Sequence, residues 1–349
     1  MDSFLCDEEW LPSPSSTASG HCTQFQSNVN VDSYDDSFYT TKEDCEQALS
    51  LCLEKELSYM PQQGYFEHLQ SKNLFFARFK AVQWLIKSRS RLNLSFETLF
   101  NAANYLDRFI SLNKCLEWKN WMVELLSVAC LSVASKFSES TYAPSLLEIQ
   151  MEDMDHTFQS ITIQRMELML LQALGWRLGS TTVYSYVELM MMMMVINNDF
   201  LKSHLRKDLI VARVTELILG TILDCKFAEF RPSIAAVSAI WCGLEELIPS
   251  KTSTQLTYIT GFLNKDQKDD IVKCHNILEQ KLIDPLNDLA ACENSSYCPS
   301  SPVTVLLTER IDVYDCHVDL SLFKMPSSNT NILESTNKRR KQEANEVRN

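Results

Sequence analysis

Glycine is scarce, at 7 of 349 residues. Gly-rich hairpin turns are correspondingly few, which argues against a sheet of tightly joined strands. No phosphate-binding loop and no G-x-G-x-x-G occurs, and G-x-S-x-G, H-E-x-x-H and C-x-x-C are absent as well. The nucleotide-binding, serine-hydrolase and zinc-site readings therefore have no motif behind them. The 12 cysteines are scattered, and the six histidines show no zinc-finger spacing with them. Three Cys/His neighbours (His21-Cys22, Cys274-His275 and Cys316-His317) stand as isolated pairs, whereas a structural zinc takes four ligands. Reduced thiols in a cytosolic or nuclear protein, with no cofactor, are expected. No basic stretch followed by an apolar run opens the chain, so no secretory signal is expected. The apolar run Leu189 to Ile196 is far too short to span a bilayer. Positive charge is also in deficit: 32 Lys and Arg against 45 Asp and Glu, a net charge of -13. Nucleic acid is excluded as a main partner on that ground, because a phosphate-binding face needs clustered Lys and Arg.

What is present is helical periodicity. Residues 1–40 hold seven acids, no Lys or Arg and many Ser and Asn. Such a segment buries too little apolar area to offset its ordering entropy and is expected to be a disordered acidic arm. From Thr41 onward, "TTKEDCEQALSLCLEKEL" sets Cys45, Leu49, Cys52 and Leu53 on one face. "LFFARFKAVQWLIKSRSRL" and "SFETLFNAANYLDRFISL" follow. The latter has Ser95 as N-cap, Thr98 at N3 and a buried stripe of Leu99, Ala102, Ala103, Leu106, Phe109 and Ile110. "WMVELLSVACLSVASKF" is apolar nearly all round and belongs at the centre of a bundle. "ITIQRMELMLLQALGW" ends at Gly175, a C-cap residue. Four of these segments lie between about Asn73 and Trp176, a stretch in which five helices are expected. A second set of about five follows, one of them opened by Pro232 at a first-turn position. The Met run 190–194 reads as helix interior. The chain divides into the arm (1–40), an all-α unit with a preceding helix (41–177), a second all-α unit (178–290) and a flexible, polar tail (291–349).

Four charges are oddly placed among apolar neighbours: Arg78, Asp107, Lys136 and Glu167. Each needs an internal partner, a path to solvent or a protein partner. The segments that carry them, "ARFKAVQWL", "NYLDRFIS", "LLSVACLSVASKF" and "IQRMELMLLQALGW", resemble the first cyclin box. "FAEFRPSIAAVSAI" and "SSPVTVLL" resemble the second box and the tail of plant D-type cyclins. The resemblance covers roughly residues 40–308 and rests on several motifs in order.

It implies two tandem five-helix cyclin boxes, a non-catalytic chain that binds and activates a cyclin-dependent kinase, and a role at the G1/S transition of the cell cycle. By the same resemblance, Arg78 pairs with Asp107 inside the box. Lys136 and Glu167 grip the kinase around its regulatory helix, and Leu125 contributes to that face. Ala77, Ala81 and Trp84 occupy the positions of a substrate-docking patch, weak here because two of the three are small. Gln83 stands where an acid is usual. Ser13 and Ser301, each followed by Pro, are candidate phosphorylation sites in the loose ends. "KRRK" (338–341) and the family point to the nucleus, with room for a cytoplasmic pool. The alternative is a cyclin-fold binding module in transcription, either a transcription-kinase cyclin or a relative of general transcription factors. No zinc ribbon or basic helix supports the latter.

Near the N-terminus, "FLCDEEW" resembles the Leu-x-Cys-x-Glu motif with which D-type cyclins bind retinoblastoma-related pocket proteins. In an extended peptide, residues two apart point the same way. Leu5 is one place out of phase with Cys6 and Glu8, and the residue in phase is Phe4. The motif is therefore Phe4-x-Cys6-x-Glu8. Overfilling a leucine pocket with phenylalanine costs about 1–3 kcal/mol, a roughly tenfold to hundredfold weakening.

Overall fold

The computed structural model describes residues 41–140, 142–150, 154–197 and 204–283. Among them every regular element is a helix. The first segment holds α1 (Lys42–Lys55), a 3₁₀ turn (Glu56–Tyr59) and α2 (Tyr65–Ser71). The first bundle follows: α3 (Phe75–Arg91), α4 (Phe96–Leu112), α5 (Asn120–Ser138), α6 (Leu146–Ile149) and α7 (Ser160–Ala173). The second comprises α8 (Val183–Asn197), α9 (His204–Leu223), α10 (Pro232–Leu247), α11 (Pro249–Thr260) and α12 (Lys265–Ile283).

Each bundle is organised around one helix. In the first, α5 packs on α3, α4, α6 and α7. Its residues from Met122 to Ser135 are buried apart from Glu124, as an all-round apolar helix requires. It is long and apolar enough to cross a bilayer by length and composition, yet it lies mostly inside the protein. In the second, α10 packs on α8, α9, α11 and α12. Gly243 belongs to that contact: a Cβ there would lie 2.9 Å from Val214 Cγ2, so α9 and α10 meet too closely for a larger residue.

The caps follow the sequence. Ser95 Oγ accepts the Thr98 amide at 3.1 Å and starts α4. At the end of α7, Gly175 (φ 60°) and Trp176 (φ 59°) are both left-handed. The Trp176 and Gly175 amides donate back to the carbonyls of Leu171 (2.9 Å) and Gln172 (3.1 Å), a Schellman closure. Pro232 occupies the first turn of α10. The one-turn α6, which has no period to betray it in the sequence, is held by a Ser145/Glu148 capping box. Arg91 closes its other end by donating to the carbonyls of Glu148 and Ile149 at 2.7 and 2.9 Å.

The methionine run lies in the core of the second bundle, with Met190, Met191, Met193 and Met194 buried. Cys274-His275 is a packing pair: His275 stacks on Trp241 with ring centroids 3.9 Å apart, and burial pushes the Cys274 thiol up to about 11. No group of three or more His, Cys, Asp or Glu among the described residues is placed to hold a metal ion.

Candidate functional site

The four charges singled out in the sequence fall into two pairs of opposite character. Arg78 on α3 and Asp107 on α4 form a buried fork, with Nε to Oδ1 at 2.8 Å and Nη2 to Oδ2 at 2.7 Å. The Tyr65 hydroxyl donates to the same Oδ1 at 2.7 Å. Arg78 Nη1 donates to the Leu223 carbonyl, the last of α9, at 3.1 Å. Burial alone pulls the guanidinium pKa down, but the Asp107 carboxylate, with Tyr65, raises it above the ordinary value. Burial and the Asp107 charge likewise push the Tyr65 phenol well up, so it stays a donor. A cation at a helix C-terminus also complements the macrodipole of α9. The fork thus joins both bundles, which its place in the first box did not announce.

Lys136, near the end of α5, and Glu167, on α7, face each other at the surface. Lys136 Nζ lies 2.7 and 2.9 Å from the two carboxylate oxygens of Glu167. The Lys136 side chain is 49% exposed and that of Glu167 12%. Phe137, beside Lys136, is half exposed, as are Ile161 and Leu168, which share one face of α7 seven residues apart. Glu139 fixes the end of α5. Its Oε1 accepts from the Ser95 amide (2.8 Å), the Ser95 hydroxyl (2.9 Å) and the Thr98 hydroxyl (2.6 Å), locking α5 to the start of α4. The Asn101 amide adds a bond to the Ser138 hydroxyl at 3.1 Å. No sequence signal marks Glu139, because its partners lie over forty residues away.

Leu125 is a correction. It has no exposed surface. It points into the bundle from the central helix and presents nothing to a partner; its place is behind the face.

The docking-patch positions are also mostly closed. Ala81 and Trp84 are buried, at 6% and 5% exposure, and only Ala77 keeps solvent contact. They line a shallow groove between α3 and α5 with Val123, Ser127 and Glu124. Lys80 and Asp155, paired at 2.6 Å, stand on its rim. Gln83 is exposed. Phe4, Cys6, Glu8, Ser13, Ser301 and the 338–341 basic run lie outside the described residues.

A second buried charge escaped sequence reasoning. Glu56, with no exposed surface, sits just before the first bundle yet serves the second. Its Oε2 accepts the Ser233 amide at the start of α10 (3.3 Å), and Arg231 Nη1 reaches its Oε1 at 3.5 Å. The neighbouring "EKEL" gives no hint of this, since an acid in a charged run ordinarily reads as solvated.

Comparison with known proteins accords with this architecture. The description "Cyclin, N-terminal domain" matches residues 47–179, and "Cyclin, C-terminal domain" matches 181–296. Cyclin-D2-2 of Oryza sativa subsp. japonica is 30% identical over 268 residues, covering 75% of this chain and 71% of that protein. Cyclin-D1-1 of Arabidopsis thaliana is 31% identical over 291 residues, covering 81% and 78%. A viral cyclin from herpesvirus saimiri superposes with a TM-score of 0.47 at 12% identity, over 62% of this chain and 97% of that one. With both boxes matched in tandem and relatives of this identity along most of its length, the chain belongs to the cyclin family, among the plant D-type cyclins.

Proposed function

We propose that this chain is the regulatory subunit of a cyclin-dependent protein kinase, which it binds through the face around Lys136 and Glu167 and activates to promote the G1/S transition. The observation that carries the reading is the placement of that ion pair: its lysine is half in solvent, it is flanked by exposed Phe137, Ile161 and Leu168, and it bridges α7 to the end of α5, which the Glu139 network fixes to α4. A pair whose lysine stays half in solvent contributes little to stability. Amid exposed apolar side chains, the same pair suits a partner that supplies both buried area and polar groups. A kinase needs its regulatory helix turned inward so that the helix Glu can meet the ATP-binding Lys. A rigid face that binds only the inward state shifts the population to activity. On binding, Lys136 and Glu167 exchange each other for the kinase's carbonyl or carboxylate groups and amide or ammonium groups. The test is kinase activity on a histone-type substrate with Lys136→Glu or Glu167→Lys. Loss of activation with the fold intact supports the reading, and normal activity from either purified complex sinks it.

The reading extends to the N-terminal arm, where Phe4-x-Cys6-x-Glu8 recruits a retinoblastoma-related protein and so brings it to the kinase. The flanking acids would speed encounter with a basic rim. Phe4→Leu then tightens binding about tenfold or more, measured by calorimetric titration against the pocket protein; no change or a loss counts against a leucine-type pocket. The site of action is the nucleus, with a cytoplasmic pool. Cell fractionation of a tagged chain that lacks 338–341 checks the nuclear address.

A further inference from the structure

Arg108, at the end of α4, is only 4% exposed, and no carboxylate among the described residues pairs with it. Nη1 donates to the Arg177 carbonyl at 3.1 Å and reaches Asn104 Oδ1 at 3.5 Å. Its guanidinium carbon lies 5.3 Å from the centre of the Tyr59 ring. The guanidinium carbon of Arg177, an exposed residue, lies 6.0 Å from the same ring centre. Two cations are thus gathered on one aromatic ring with no counter-charge paired to either among the described residues. Burial first, and the Arg177 charge second, pull Arg108 down to about 10.

The backbone on every side is fixed. The left-handed Gly175-Trp176 turn sets the direction of Arg177. The Tyr105 hydroxyl donates to the Leu178 carbonyl at 2.7 Å. The Asn104 amide donates to the Tyr59 carbonyl at 2.8 Å, and the Ser180 hydroxyl donates to Asn104 Oδ1 at 2.9 Å. Like charges held this firmly in a half-desolvated place repel each other, and an incoming anion would offset both. Guanidinium forks match the tetrahedral oxygens of phosphate. Trp176, 64% exposed and next to Arg177, offers an apolar platform for a residue adjoining the phosphate. The net charge of -13 opposes a polyanion such as nucleic acid but tolerates one local phosphate.

We propose that Arg108 and Arg177, assembled on Tyr59 where the first bundle passes into the second, form a binding site for a phosphate monoester carried on a peptide. The inference is independent of the kinase reading. Its test is calorimetric titration of the full chain, at constant ionic strength, with an end-blocked pentapeptide centred on phosphoserine, its unphosphorylated twin and inorganic phosphate. The phosphopeptide is expected to saturate, with the twin and inorganic phosphate each about tenfold weaker or more. Arg177→Ala should lower phosphopeptide affinity about tenfold while leaving the thermal midpoint unchanged, and Arg177→Lys should recover part of it. Equal binding of the two peptides, or an affinity untouched by Arg177→Ala, overturns the site. Inorganic phosphate binding as tightly as the phosphopeptide overturns the assignment to a peptide.

Discussion

The two bundles share a plan and differ in what they expose. Each wraps four helices round one buried helix, α5 or α10, with cores of comparable character. Among the described residues from 73 to 177, Phe76, Leu112, Phe137, Tyr142, Leu147, Ile161, Leu168 and Trp176 are exposed large apolar side chains. Among the described residues from 178 onward, only Leu209, Leu247 and Val272 are. Among their charge pairs, three show the range of settings. The first bundle holds the Arg78–Asp107 fork and the Lys136–Glu167 pair in its apolar setting, whereas the second shows Arg213 bridging Glu216 and Glu246 on an ordinary solvated surface. One fold thus serves two ends. The first copy carries the exposed apolar side chains around the face we propose for the kinase, and the second is joined to it through the Arg78–Leu223 bond.

The sharpest way to break this comparison is to remove Asp107. Asp107→Ala strands a buried guanidinium that links both bundles, and should lower stability by about 3–5 kcal/mol, read from urea unfolding. Pairing it with Arg78→Met should recover much of the loss, since an apolar pair leaves no orphaned charge. A smaller but more specific effect is expected at the surface. Lys136→Glu with Glu167→Lys in one chain rebuilds the ion pair in reverse, so the thermal midpoint should hold. Kinase binding should still weaken by about 2–5 kcal/mol, because the partner's groups now meet the wrong signs; recovery of activation would mean that only the internal pair matters. In the second bundle, Arg213→Ala should cost no more than about 1 kcal/mol by the same urea measurement and leave kinase activation unchanged.

The smallest effect lies at the seam between α4 and α8. Burial, with Glu139 and Glu97 respectively, raises the carboxyl pKa values of Glu97 and Glu188. A folded pKa above the unfolded one means that the native state binds the extra proton, so stability is lost as pH rises from the unfolded carboxyl range through the raised one. Both groups keep solvent contact, so the slope is shallow. Glu188→Gln should flatten it and leave the variant slightly the more stable at neutral pH, as thermal midpoints across the acid-to-neutral range would show.

Sequence legibility followed range of interaction. The long helices were legible because their periods are local: the buried stripe of α4, the all-round apolar α5, and the caps at Ser95 and Gly175 each depend on a few neighbouring residues. The short α2 and α6 were not, since one or two turns carry no period. At the candidate site, the identities of Arg78, Asp107, Lys136 and Glu167 stood out as charges in apolar company. Which of them would be buried came from the family resemblance, which set Arg78 and Asp107 inside the box, and not from the local pattern, because exposure is set by helices far along the chain. Leu125 was misplaced for the same reason: an apolar residue on an all-round apolar helix has no sequence mark of inside or outside. Glu56 and Glu139 were missed because their partners lie 177 and 44 residues away.

The reach of the first segment has a consequence for the order in which the chain can fold. Helix α1 packs on α8, Glu46 accepts from the Tyr258 hydroxyl 212 residues later, and Glu56 meets the start of α10. The earliest described helix therefore completes the later bundle. The first bundle can close on its own local contacts while the chain is still emerging. Meanwhile α1 must wait, its apolar face unmet, until α8 through α11 have been made. The contact it then makes joins residues 212 apart in the chain, the non-local kind that comes late in folding. A chain shortened from the N-terminus to the start of the first bundle would keep every helix of both bundles and still lack the clasp of the second.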